Sequence, residues 1–243
     1  KKLKSEFMNK GDLILCTKLD QVENSFFIKQ KQLNNIKIFS SFSWCEKRLL
    51  RIPGDCIQDR NILLDSWGYE FRKYHHRLKR IFDILFGLLL LILSAPFILL
   101  FSLLIKIEDG GPIFYEQIRT GLYGRNFKIL KLRTMKCDAE KQGPQWAKKN
   151  DSRVTKLGKI LRKTRIDELP QLIQVISGEM SLIGPRPERP EIDELLNKEI
   201  KNYSLRNNIK PGLSGWAQVN YPYGSSIKDS EIKLSYDLFY LRN

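Results

Sequence analysis

The pattern of apolar and polar positions is dominated by residues 81–105, a run rich in Leu, Ile and Phe in which Asp83 is the one charge. A straight helix over that run would rise ~37 Å, more than the ~30 Å of a hydrocarbon core, so length alone permits a crossing. Ser94-Ala95-Pro96 argues for a bend in the middle. The proline ring collides with the carbonyl of Ile92 and removes a backbone donor, while the Ser94 hydroxyl offers the freed carbonyls another partner. Broken there, the run leaves arms of about 20 Å and 15 Å, too short to cross, so a re-entrant hairpin in one leaflet stands beside a kinked span. A buried core helix is the third option. Arg72, Lys73, Arg77, Lys79 and Arg80 precede the run and Lys106 follows it, and the positive-inside tendency asks both ends to face the cytosol.

On either side the periodicity changes. Residues 13–15 and 36–39 look like short strands, 45–50 like a helix, and 51–55 like a turn before the apolar segment 62–67. That is too little for a core of its own, so residues 1–70 are expected to finish a domain begun upstream or to pack on the downstream part. Beyond Gly110-Gly111-Pro112, residues 113–118 and 127–132 read as two strands around a glycine turn with Gly121 and Gly124; neither phosphate-binding glycine pattern occurs. Residues 142–150 are polar and read as a mobile loop. Residues 151–164 read as a basic amphipathic helix, with Val154, Leu157, Ile160 and Leu161 opposite Lys156, Lys159, Arg162 and Lys163, a form that suits a headgroup plane or a globular surface. A helix carrying Leu172, Ile173 and Ile176 stops at Gly178, and residues 210–220 read as a turn followed by a short strand.

Charge narrows the partners. With Lys+Arg 42 against Asp+Glu 27 and a net charge of +15, the chain needs an anionic counterpart. A membrane segment makes membrane lipid and phosphate better candidates than nucleic acid, and no nucleic-acid fold with interleaved aromatics is present. Cys16, Cys45, Cys56 and Cys137 are widely spaced and read as reduced thiols, and His75-His76 reads as a solvated or headgroup-facing pair. No cleavable signal peptide is evident, and the missing initiator Met suggests a piece of something longer.

The candidate chemistry lies at Arg165-Ile166-Asp167-Glu168-Leu169-Pro170. Two adjacent acids at a helix start are good capping residues in their own right, and the same tetrapeptide recurs at 192–195, so the motif alone proves nothing. Context separates the copies: Asp167 follows Arg162, Lys163 and Arg165, whereas Asp193 sits among Glu188, Glu191 and Glu194. Lys131 and Arg133 fall on one side of a strand, where they could grip a phosphate or form a solvated face. In Gly184-Pro185-Arg186-Pro187, the prolines Pro185 and Pro187 stiffen the loop that presents Arg186.

Six segments in this order resemble the bacterial sugar transferase family, the monotopic polyprenyl-phosphate phosphoglycosyl transferases. They are Lys79-Arg80-Ile81-Phe82-Asp83, the Ser94-Ala95-Pro96 break, Lys131-Leu132-Arg133-Thr134-Met135, Leu161-Arg162 ahead of Asp167-Glu168-Leu169-Pro170-Gln171-Leu172, the run 180–187 and the run 211–219. The resemblance implies an α+β, mostly helical monotopic membrane enzyme with a re-entrant membrane hairpin, amphipathic interfacial helices and a small β element. Residues 71–108 would form the hairpin with its basic flank, 109–243 the catalytic domain, and 1–70 the end of a soluble Rossmann-like regulatory domain or linker. Ser94 and Pro96 would make the membrane break. It further implies transfer of a sugar 1-phosphate from a UDP-sugar to undecaprenyl phosphate at the cytosolic face of the inner membrane, releasing UMP and opening a capsule, exopolysaccharide or O-antigen unit. Asp167 would be the nucleophile, and Glu168 would assist with Mg2+ or the proton, both acids being candidate metal ligands. Arg162, Arg186, Lys131 and Arg133 would handle phosphate, and Pro185 and Pro187 would shape the loop. Arg165 departs from the pattern, where a small residue such as Ser is common. A non-catalytic scaffold of a glycan assembly complex is the alternative, and a homo-oligomer is compatible with either.

Overall fold

The computed structural model describes residues 12–15, 37–57, 69–137, 139, 151–222, 224 and 226–243, so the expectations for 62–67 and 142–150 lie outside the described residues. β1 (Asp12–Leu15) and β2 (Lys37–Ser40) pair in parallel, each within one residue of the run expected from sequence. A helical turn, Ser41–Trp44, continues as a π-helical turn to Leu49.

α1 (Tyr69–Asp109) is one helix of 41 residues with Pro96 inside it. The expected break at Ser94-Pro96 does not interrupt the helical register, and the Ser94 hydroxyl donates to the carbonyl of Leu91 at 3.2 Å. Most of its apolar side chains, among them Leu85, Ile92, Leu93, Leu99 and Leu103, are exposed, which excludes the core-helix option. The helix is long and apolar enough to cross a membrane.

Polar contacts fix its first half. Asp83, the lone charge of the apolar run, accepts from the backbone N–H of Leu182 at 3.0 Å and from the Ser181 hydroxyl at 3.1 Å, and it pairs with Lys79. Arg80 donates to the carbonyls of Val175 and Ile176 at 2.5 and 2.6 Å. Those belong to the last turn of the short helix Leu172–Ser177, where a cation meets the C-terminal carbonyls. The second half is held by packing, with Ile98, Phe101 and Ile105 against Leu132 and Leu161.

β3 (Phe114–Thr120) and β4 (Asn126–Leu132) form the antiparallel hairpin expected from their alternation, with Tyr115 opposite Lys131. α2 (Lys156–Thr164) starts later than expected because Thr155 caps it, accepting from the N–H of Gly158 at 2.9 Å. α3 (Leu172–Ser177) ends at Gly178, whose φ of 94° is the left-handed stop that the glycine makes cheap. β5 (Ser181–Ile183), α4 (Pro190–Glu199), β6 (Gly212–Ser214), α5 (Trp216–Asn220) and α6 (Ile227–Arg242) complete the chain, β5 and β6 pairing in parallel. The run 210–220, expected as a turn and a short strand, holds a short strand at β6 but is helical from Trp216, where Val219 and Tyr221 donate to the carbonyls of Gly215 and Ala217.

The largest core joins distant parts of the sequence. Phe42, Ile52 and Ile57 are buried with Leu196, Ile200, Tyr203, Leu205, Leu234 and Leu238. The Ile52 N–H donates to the Ser235 carbonyl at 2.7 Å, and the Trp216 indole donates to the Leu50 carbonyl at 3.0 Å. Residues 42–57 thus pack on the downstream part. Ile52→Ala should therefore destabilise the downstream part itself by about 2–5 kcal/mol, the range for truncating a fully buried aliphatic side chain. Denaturant unfolding followed by a fluorophore in residues 151–243 checks this, and an unchanged midpoint would detach the segment from that core.

Candidate functional site

The two acids sit on a 3-10 turn, Ile166–Gln171, between α2 and α3. Arg165, with φ of 62°, reverses the chain between α2 and this turn. A non-glycine residue in that region costs ~1–2 kcal/mol, and the reversal brings Asp167 and Glu168 inward, where both are buried.

Glu168 is enclosed by cations. Its Oε1 accepts from Arg186 Nη2 at 2.5 Å and Lys131 Nζ at 3.1 Å, with Arg165 at 3.6 Å; its Oε2 takes Arg186 Nη1 at 3.4 Å. Burial works against the charge, but Arg186 and Lys131 outweigh it and hold the carboxyl down at about 2. Burial also lowers the Lys131 ammonium to about 8, against the pull of Glu168 and with the push of Arg186 and Arg119.

Asp167 is the opposite case. Its Oδ1 is buried with no hydrogen-bond partner. Burial and then the neighbouring charge of Glu168 raise its pKa, opposed by Lys131, Arg162 and Arg165. The turn therefore carries one carboxylate saturated by cations and one that is dehydrated, with an oxygen free to engage something else.

The sequence candidates part company here. Lys131, Arg186 and Glu168 come together. Arg162 lies close enough to act on Asp167, with Nε donating to the Thr134 hydroxyl at 2.9 Å. Arg133 does not join Lys131: it pairs with Asp109 at the end of α1 and donates to the Cys137 sulfur at 2.6 Å. β4 ends at Leu132, so the alternation that would have put both cations on one face stops one residue short. Arg119, half-buried, and Arg206, buried, lie beside the proline loop and were not singled out in the sequence, because their roles depend on partners far along the chain.

The dyad's hard oxygen donors fit Mg2+, which commonly takes one or two carboxylates together with substrate phosphates. Among the described residues no group of three or more His, Cys, Asp or Glu gathers into a protein-only metal site. The lightly engaged Glu168 Oε2 and the Asp167 carboxylate are the groups that would hold the ion.

Residues 74–243 match the family profile described as bacterial sugar transferase. The chain belongs to this family. Over 219 residues, 89% of this chain and 50% of that protein, it is 43% identical to the UDP-N-acetylgalactosamine-undecaprenyl-phosphate N-acetylgalactosaminephosphotransferase of Aeromonas hydrophila. It is 40% identical over 167 residues, 68% of this chain and 36% of that protein, to the UDP-glucose:undecaprenyl-phosphate glucose-1-phosphate transferase of Escherichia coli K12. A protein of the same name from Caulobacter vibrioides is 47% identical over 141 residues, 58% of this chain and 53% of that protein. The chain thus spans half or less of the first and second of these relatives. Family and exposed apolar helix together make this a membrane-associated chain.

The raised pKa of Asp167 has a consequence for stability. Any contribution its protonated form makes is fully present below the ordinary carboxylate range and is lost as pH rises through the higher folded-state value. Near pH 7 the buried anion is a burden, so Asp167→Asn should stabilise the protein by about 0.5–2 kcal/mol, as substitutions that relieve functional strain commonly do. Below the ordinary carboxylate range the gain should vanish. Paired melting curves at both pH values, in EDTA, test this, and a variant less stable at pH 7 would contradict it.

Proposed function

We propose that this chain carries the transfer of a sugar 1-phosphate from a UDP-sugar to undecaprenyl phosphate, with release of UMP, through a phosphosugar held covalently on Asp167. The observation that carries this reading is the buried, unpartnered Oδ1 of Asp167 beside a carboxylate that already holds Lys131 and Arg186.

Both substrates are anions, so direct attack of one on the other works against charge repulsion. A carboxylate nucleophile divides the reaction into two displacements, each run with the charges offset. In the first, an Asp167 oxygen attacks the phosphorus that bears the sugar. The bond from that phosphorus to the bridging oxygen breaks, and UMP leaves with the electron pair. In the second, a phosphate oxygen of undecaprenyl phosphate attacks the same phosphorus, and the Asp167 oxygen departs as carboxylate. Dehydration leaves Asp167 without water to displace, while Arg186 and Lys131 meet the phosphoryl oxygens without losing their hold on Glu168. Bound Mg2+ would supply further neutralisation of the pyrophosphate.

We read α1 as re-entrant, entering one leaflet of the cytoplasmic membrane and leaving the site on the cytosolic face. Support comes from both halves docking on the same catalytic part: Arg80 and Asp83 on α3 and β5, Ile98, Phe101 and Ile105 on β4 and α2. The lipid-borne phosphate would then reach the dyad at headgroup depth. The reaction would be the first membrane step of an exopolysaccharide, capsule or O-antigen unit.

With undecaprenyl phosphate in nanodiscs, a panel of UDP-hexoses and UDP-N-acetylhexosamines should give UMP release with at least one donor. Asp167→Asn should lose about 10³-fold or more of that rate. Without lipid acceptor, the unsubstituted protein should still release up to one UMP per site. Substantial turnover by Asp167→Asn would rule out the covalent route.

Topology has its own check. Arg77→Cys and Ile107→Cys, each in a background with the native cysteines replaced by Ser, should react with a membrane-impermeant maleimide from the cytosolic side only. Labelling of the two positions from opposite sides would make α1 a span.

A further inference from the structure

The loop that presents Arg186 has an unusual problem. Pro185 and Pro187 have no N–H, so the backbone around Arg186 must be held chiefly through its carbonyls. Four consecutive carbonyls each receive a donor: Pro185 O from Gly212 N at 2.8 Å, Arg186 O from Arg206 Nη2 at 2.7 Å, Pro187 O from Arg119 Nη1 at 3.2 Å and Glu188 O from Thr120 N at 2.9 Å.

Two of the four donors are guanidinium groups, and neither is a loose surface side chain. Arg206 sits in the 3-10 turn Tyr203–Asn208, buried, with Nε on Asp237 Oδ2 at 3.0 Å and Nη1 on the Tyr203 hydroxyl at 3.2 Å. Asp237 comes from α6 and is buried as well. Arg119, at the end of β3, has its other terminal nitrogen on Gln117 Oε1 at 2.6 Å. Well-packed apolar side chains commonly stabilise a core as well as a buried ion pair does. They cannot donate to the Arg186 carbonyl.

We propose that Arg206 and Arg119 are positioning residues that set Arg186, clamping the carbonyls beside it so that its guanidinium is aimed at Glu168 and the phosphoryl group before substrate arrives. The proposal rests on the activity reading above. Gly212 fixes the peptide entering Arg186 and Arg206 the peptide leaving it, so the Cα–Cβ direction is determined from both sides. Arg119 holds the next carbonyl and keeps the second proline from tilting. The two guanidinium groups contribute nothing to the attack; they remove the search that a free loop would make for its productive arrangement.

The test pairs Arg206→Met with Asp237→Leu, which removes the donor without leaving an unpaired charge in the core. In nanodiscs with undecaprenyl phosphate and an active UDP-sugar, this double variant should melt close to the parent yet lose kcat by about 10- to 100-fold, the scale of a small misplacement of catalytic groups. In an Arg186→Ala background, with residual turnover followed by radiolabelled donor, the same pair should cost less than about 2-fold, because residues that act as a unit are not additive. Arg119→Met, acting from a different element, should behave alike and decides the matter if the first variant fails to fold. Equal fold-losses with and without Arg186 would overturn the positioning role while leaving the activity intact. An unsubstituted protein that releases no UMP from any donor would overturn the activity reading itself.

Discussion

A carboxylate buried at Glu168 must be met by positive charge, and that requirement ties the molecule together. Burying an unpaired anion is costly enough that partners have to be supplied. Here one comes from β4 as Lys131 and one from the proline loop as Arg186. The β3–β4 hairpin, the 3-10 turn and the loop therefore cannot settle independently. The connection extends outward: Arg206 holds the loop, Asp237 on α6 holds Arg206, and α6 packs against Ile52 in the segment ahead of the membrane helix. A stretch distant in sequence from the acids thus belongs to the body that sets their surroundings.

The membrane helix is fixed by the same economy of buried charge. An isolated Asp in an apolar run looks like a defect. Asp83 is instead the docking point, satisfied by the N–H of Leu182, the Ser181 hydroxyl and Lys79. Arg80 closes the last turn of α3 from the same helix face. The apolar majority of α1 has no such partners and stays exposed, which is what a surface shaped for lipid requires. Polar contacts give the helix its orientation on the downstream part, while its apolar face sets its affinity for the bilayer.

What could be read from sequence follows the range of the physics involved. Local rules gave the β3–β4 hairpin, the Gly178 stop and the long apolar helix, because alternation, a left-handed glycine and hydrophobic length act over a few residues or one element. They also singled out Asp167, by the cations beside it. Local rules misjudged residues 216–220, where a helix forms in place of a strand, and Arg133, where the strand ends and the side chain turns to Asp109. They gave no hint of Arg119 or Arg206, whose contacts reach 68 and 20 residues along the chain to carbonyls of the proline loop. A carbonyl's need for a donor leaves no mark in its own residue type. Nor did composition reveal that residues 42–57 share a core with α4 and α6, since short apolar runs fit a separate domain equally well.

The unlike fates of two neighbouring acids follow from the turn that carries them. With 3.0 residues per turn, a 3-10 helix sends successive side chains about 120° apart, so adjacent carboxylates leave the backbone toward different surroundings. Glu168 takes the side lined by Lys131 and Arg186; Asp167 is left facing a buried space that offers its Oδ1 nothing. Burial and then the anion of Glu168 raise the proton affinity of Asp167, while Lys131, Arg162 and Arg165 limit that rise. On the covalent route proposed above, an oxygen already holding two cations would have little electron density to give a phosphorus centre, whereas the unpartnered one would be open to it. The order Asp-Glu on a tight turn lets the longer side chain reach the cations while the shorter one stays inside, and Arg165 in the left-handed region is the backbone feature that turns the pair inward.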